Sequence, residues 1–195
     1  MPKIILCGNK SWDTDFPENT LPNNAKRIER PDNIFKSSLL YGILPLIFSY
    51  AIICIKWFMI DEKAMNPIYV PFGIILGLLL LPVHEVLHGV CYKKGQKVYI
   101  GICLKKFAAF AVCHEPISKR RFVIMRLMPM LLGIIPLAIF LLSPPNAFLS
   151  GICIPMGIIG MLSPMPDYMD VHIICKQVPK GAFVHTQNDG FYWYK

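Results

Sequence analysis

Four long apolar runs alternate with short polar stretches along this chain. Residues 38–60, 68–90, 122–142 and 147–166 each hold enough apolar positions to cross a hydrocarbon core of about 30 Å as a helix rising 1.5 Å per residue. The pattern therefore predicts four spanning helices. Prolines mark where each bends or stops: Pro45 in the first, Pro82 in the second, Pro129 and Pro136 in the third, and Ser163-Pro164-Met165-Pro166 at the end of the fourth. Between the second and third runs, residues 98–113 form two apolar arms of β-branched and aromatic residues around Lys105-Lys106. Arms of that length are too short for spanning helices and predict a β-hairpin or a re-entrant element. Such a hairpin can offer an edge to an extended substrate, or it can lie on the membrane surface as an amphipathic element. A helical stretch is expected over Asp167–Lys176, and Asn188-Asp189-Gly190 is a turn signal before an aromatic end.

The expected fold class is thus an all-α integral membrane protein with four transmembrane helices and one short β-hairpin or re-entrant element. Residues 1–36 are polar, of mixed charge, and form an N-terminal arm. Residues 37–195 form the membrane domain, with 177–195 as its tail. Within the arm, Lys26-Arg27-Ile28-Glu29-Arg30 fits a solvated charge cluster or a short interfacial helix.

Composition agrees with this division. The chain has 195 residues, of which 54% are hydrophobic and 16% charged, and a mean hydropathy of +0.48. Those values exclude a disordered chain. The formal charge of +8 lies beside the apolar runs rather than on a separate basic face, which argues against a nucleic-acid partner and for membrane lipids. Four spans put both termini and the lysine-rich 91–121 loop on one side. The positive-inside rule makes that side the cytosol, so a multi-pass cell-membrane protein with cytosolic termini is expected. Lys56 and Arg126 are expected to snorkel from span ends. The seven cysteines are scattered, without a CxxC pair, and imply no disulfide framework. Ile4–Cys7 is too short an apolar run for a signal peptide.

The candidate chemistry sits at the end of the second run, where the sequence reads His84-Glu85-Val86-Leu87-His88. Residues four apart share a helix face, so both imidazoles can address one metal ion, and Glu85 can act on a water beside it. Ionisable groups at membrane depth are costly and usually functional. A catalytic zinc takes a third protein ligand. The candidates are Asp167, Asp170, Glu115, His114 and His172. The second and fourth spans both run towards the cytosol, which brings His84, His88, Asp167 and Asp170 to one depth. Asp167 is the first choice, although an Asp after Ser-Pro-Met-Pro can instead cap the next helix. Asp170 and His172 can serve by orienting an imidazole.

The HExxH motif, Glu115-Pro116-Ile117-Ser118 in a basic loop, Pro129 in the third span and a late Asp before a helix ending in Lys176 resemble a known family. It comprises small bacterial membrane proteins described as zincin peptidases, distantly similar to site-2 intramembrane metalloproteases. The resemblance covers roughly residues 35–195; Pro166 stands where the family usually has Gly. It implies Zn2+ as cofactor, His84, His88 and Asp167 as ligands, and Glu85 as the catalytic carboxylate. The expected activity is zinc-dependent hydrolysis of a peptide or membrane-protein substrate near the cytosolic leaflet. Two other classes remain open at this level: a non-catalytic scaffold, and a small ion-coupled transporter. Whether the chain forms homo-oligomers is also open.

Overall fold

The computed structural model describes residues 1–10, 16–60, 66–103 and 108–195. Lys105-Lys106 and most of the linker after the first apolar run lie outside the described residues. In chain order the elements are β1 (Lys3–Asn9), β2 (Lys26–Arg27), α1 (Ile34–Ser38), α2 (Ile43–Ile60), α3 (Val70–Leu79), α4 (Leu81–Val90), β3 (Lys97–Cys103), β4 (Ala108–Val112), β5 (Ile117–Ser118), α5 (Lys119–Leu127), α6 (Leu131–Leu142), α7 (Ala147–Leu162), α8 (Met165–Gln177), β6 (Phe183–Gln187) and β7 (Gly190–Tyr194). Short 3-10 turns carry α1 into α2 and α5 into α6.

Among the described residues, four helical stretches are long and apolar enough to cross a membrane: Ile34–Met59, Pro67–Val90, Lys119–Leu142 and Ala147–Gln177. The chain is mostly helical, but it is not all-α. Among the described residues the expected hairpin, β3-β4, is extended by β1 into a three-stranded sheet, order β1-β3-β4, and a four-stranded sheet has the order β2-β7-β6-β5. Strands β1 and β2 come from the arm and pair with partners far along the chain: Lys3 with Lys97 in parallel, Arg27 with Tyr192 antiparallel. Short strands in a polar arm carry no local sign of such distant pairing. The Lys26–Arg30 cluster is accordingly neither a helix nor wholly solvated. Its first two residues form β2, and Ile28 is buried.

Proline decides where the helices break. Pro82 has no N–H to continue the ladder, so α3 closes with the Leu80 N–H on the Leu76 carbonyl (3.1 Å), and α4 starts afresh at Leu81. Pro164 follows α7 in the same way. Its carbonyl accepts the Tyr168 N–H (2.9 Å) in the first turn of α8.

The chain divides into two compact units. The first comprises Met1–Asp32, Pro82–Met128 and Met169–Lys195 and holds both sheets. Here Gly89 of α4 faces β3 so closely that a Cβ would meet Ile100 Cδ1 at 3.1 Å. The opposite face of the hairpin is covered by Phe16, whose ring lies 5.0 Å from Tyr99 and 5.7 Å from Phe110. The second unit comprises Asn33–Leu81 and Pro129–Tyr168. Its helices α3 and α6 meet α7 through glycines: a Cβ on Gly133 would strike the backbone of Gly160 and Met161, and one on Gly73 the backbone of Ile152. Small residues allow this backbone-to-backbone approach.

Lys56 does not snorkel freely. It is only 3% exposed. Its ammonium donates to the carbonyls of Phe140 and Ser143 and to Ser143 Oγ. These carbonyls end α6, where the helix leaves acceptors without intrahelical partners. All seven cysteines are free thiols.

Candidate metal centre

Helix α4 carries its two histidines on one face because they are four residues apart. Both are buried, His84 at 7% and His88 at 5% exposure, while Val83, Val86 and Val90 on the other face are exposed. The two Nε2 atoms stand 3.1 Å apart. The planes of the rings meet at 79°. Two ligands each about 2.0–2.1 Å from one tetrahedral zinc are about 3.3 Å apart, so this pair needs almost no movement to share an ion.

The tautomer of His88 is set from behind. Its Nδ1 lies 3.0 Å from the carbonyl of Met125, on α5. A carbonyl can only accept, so Nδ1 carries the proton and Nε2 keeps its lone pair.

Asp167 lies in the first turn of α8 and is 4% exposed. Because α8 already starts at Met165, Asp167 is inside the helix and does not cap it. Its carboxylate and the ring nitrogens of His84 and His88 offer one ligand atom each, all within 4.8 Å of one another. The donor set fits zinc. Two neutral imidazoles and one carboxylate provide three N/O ligands, leave room for a fourth, and place a negative charge in a buried site that a divalent cation balances.

The other candidates are placed elsewhere or otherwise engaged. Asp170 is 2% exposed and accepts Arg30 Nη2 at 2.7 Å and Arg126 Nη2 at 3.4 Å, one on each oxygen. Arg126 therefore does not snorkel; the buried Asp170 holds it against the rings of Phe122 and Phe191. The His114 Nδ1–H donates to the Pro17 carbonyl (3.0 Å). His172 is exposed, and Glu115 is half-buried outside the cluster. Burial pushes the neighbouring Cys113 thiol up to about 11, and Cys113 lies outside the cluster. Glu85 is half-buried, between the two histidines in sequence.

Reading the sequence missed Arg30 and the Met125 carbonyl. A backbone acceptor leaves no mark in a sequence. Arg30 stands 140 positions from Asp170. Arg126 did carry a signal: a charge within an apolar span calls for a partner.

A family model described as "Putative zincin peptidase" matches residues 77–183, which include α4, the hairpin, α5 to α7 and α8. No curated protein and no solved structure matches the chain.

Proposed function

This chain belongs to the zincin peptidase family, and we propose that it is a zinc-dependent, membrane-embedded endopeptidase cutting peptide bonds near the cytosolic leaflet. The observation that carries this reading is the convergence of His84, His88 and Asp167, two turns of α4 and one of α8. These three residues would hold the ion, with the Met125 carbonyl keeping His88 in its ligating tautomer. Bound zinc supplies Lewis acidity, which polarises a carbonyl and lowers the pKa of water towards neutrality.

Glu85 does the proton work. Its carboxylate takes a proton from the attacking water as the water oxygen bonds to the peptide carbon. It then gives that proton to the leaving nitrogen as the C–N bond breaks. Water is consumed and no net proton is gained or lost. The substrate is an extended peptide or membrane-protein segment. Strand β4 has β3 on one side and, among the described residues, no strand on the other, so such a segment can add along it. The lysine-rich loop after α4 supports a topology with both termini on the cytosolic side and the site near the inner leaflet.

Glu85→Gln tests the assignment. The variant retains zinc at the wild-type level and loses cleavage of a fluorogenic peptide library by about 10²- to 10⁴-fold. Unchanged turnover removes Glu85 from this role.

A further inference from the structure

The N-terminal arm lies outside the stretch that matches the family, yet one of its side chains reaches the helix that carries Asp167. We infer that Arg30 is a positioning residue of the metal centre, acting through Asp170. The inference rests on the metal-centre reading above.

Asp170 sits one turn after Asp167 on α8, and residues three apart on a helix share a side. Its two oxygens bind two arginines from different parts of the chain. Arg30 of the arm approaches Oδ1 at 2.7 Å; Arg126 of α5 approaches Oδ2 at 3.4 Å. Arg126 directly follows Met125, whose carbonyl accepts the His88 Nδ1–H. One buried carboxylate thus joins the α5 turn that orients His88 to the helix that presents Asp167. Arg30 provides the shorter of the two ion pairs.

The arm is built to hold Arg30 there. The Ile28 N–H donates to the Phe191 carbonyl (2.8 Å), and Ile28 is 3% exposed. The Glu29 N–H donates to Gln177 Oε1 (2.9 Å), and Gln177 Nε2 returns a bond to the Glu29 carbonyl (2.8 Å), so the arm grips the far end of α8 itself. The Arg30 guanidinium lies 4.4 Å from the centre of the Phe191 ring, which the Arg126 guanidinium also meets at 5.4 Å. That ring stands edge-on to Phe122 of α5. A planar guanidinium that stacks and donates at once is held in one orientation, which a flexible ammonium would not match. A merely solvated arginine would need none of these contacts.

The test is zinc affinity, measured by competition with a chromophoric chelator, on the full chain in detergent micelles, beside the melting temperature of the metal-free protein. Arg30→Gln weakens zinc by about ten- to a hundredfold, the usual effect of losing a group that orients a ligand. Arg30→Lys keeps the charge and most of the packing, folds as wild type, and recovers part of the affinity. In an Asp170→Asn background Arg30→Gln has no further effect. Arg27→Gln, an exposed neighbour paired at 3.9 Å with Asp189, leaves zinc affinity unchanged. Wild-type zinc affinity in both Arg30 variants, with only a lower melting temperature, makes the contact structural and overturns the inference. So do independent, multiplying effects of Arg30→Gln and Asp170→Asn. A wild-type chain that takes up no zinc overturns the metal reading itself, and this inference with it.

Discussion

Nε2 of His84 stands 3.1 Å from Nε2 of His88 on the buried face of α4. Two neutral imidazoles that face each other nitrogen to nitrogen share one proton at most across this arrangement. They are a good pair of ligands. What lies between those nitrogens and the carboxylate of Asp167 therefore decides the chemistry.

The two aspartates of α8 have separate tasks, and substitution separates them. Asp167→Asn leaves the metal-free protein as stable as wild type and lowers its zinc content. Asp170→Asn removes the carboxylate that pairs Arg30 and Arg126, lowers the stability of the metal-free protein by roughly 3–5 kcal/mol, and weakens zinc without removing a ligand. Chemical unfolding of the two variants beside metal analysis checks this. Equal loss of stability in both would contradict the division.

This division was only half legible in the sequence. The spacing of His84 and His88 sufficed to place both on one helix face, and the directions of the second and fourth spans brought Asp167 to their depth. The sequence suggested Asp170 as a group that orients an imidazole, but its arginine partners could not be read, because they stand at positions 30 and 126 and nothing local links them. The hairpin followed from two apolar arms around Lys105-Lys106, whereas β1 and β2 did not follow, since their pairing with β3 and β7 is set only when the chain folds. Lys56 shows the same limit: its place near a span end suggested a side chain reaching for water, but the carbonyls at the end of α6 are nearer.

Backbone contact between α6 and α7 makes Gly160 intolerant of any side chain. A Cβ there would meet the backbone of Leu132 and Gly133. The helices must then move apart, at a cost of about 1–3 kcal/mol. Gly160→Ala is expected to unfold at lower denaturant in micelles; an unchanged midpoint would show that the two helices yield freely.

His185 gives the first unit a sensitivity to acid. Burial lowers its pKa below the ordinary value. The charge of nearby His114 acts in the same direction, and the His114 carbonyl and the carboxylates of Glu115 and Glu18 oppose it. Below the unfolded value of about 6.5 the unfolded chain binds the proton that the folded chain refuses. The stability contributed by the neutral ring is complete above that pH and is lost as pH falls below it. His185→Phe is expected to reduce the drop in melting temperature between about pH 7.5 and pH 5.5. An identical drop in the variant would assign the acid sensitivity to other groups.

The most direct measurement is metal analysis of the purified full chain, wild type beside His84→Ala, with the fold of each checked by circular dichroism. About one zinc per wild-type chain is expected, lost in the variant while its helical signal is retained. A folded wild-type chain without zinc, or a His84→Ala variant that keeps it, would contradict the account.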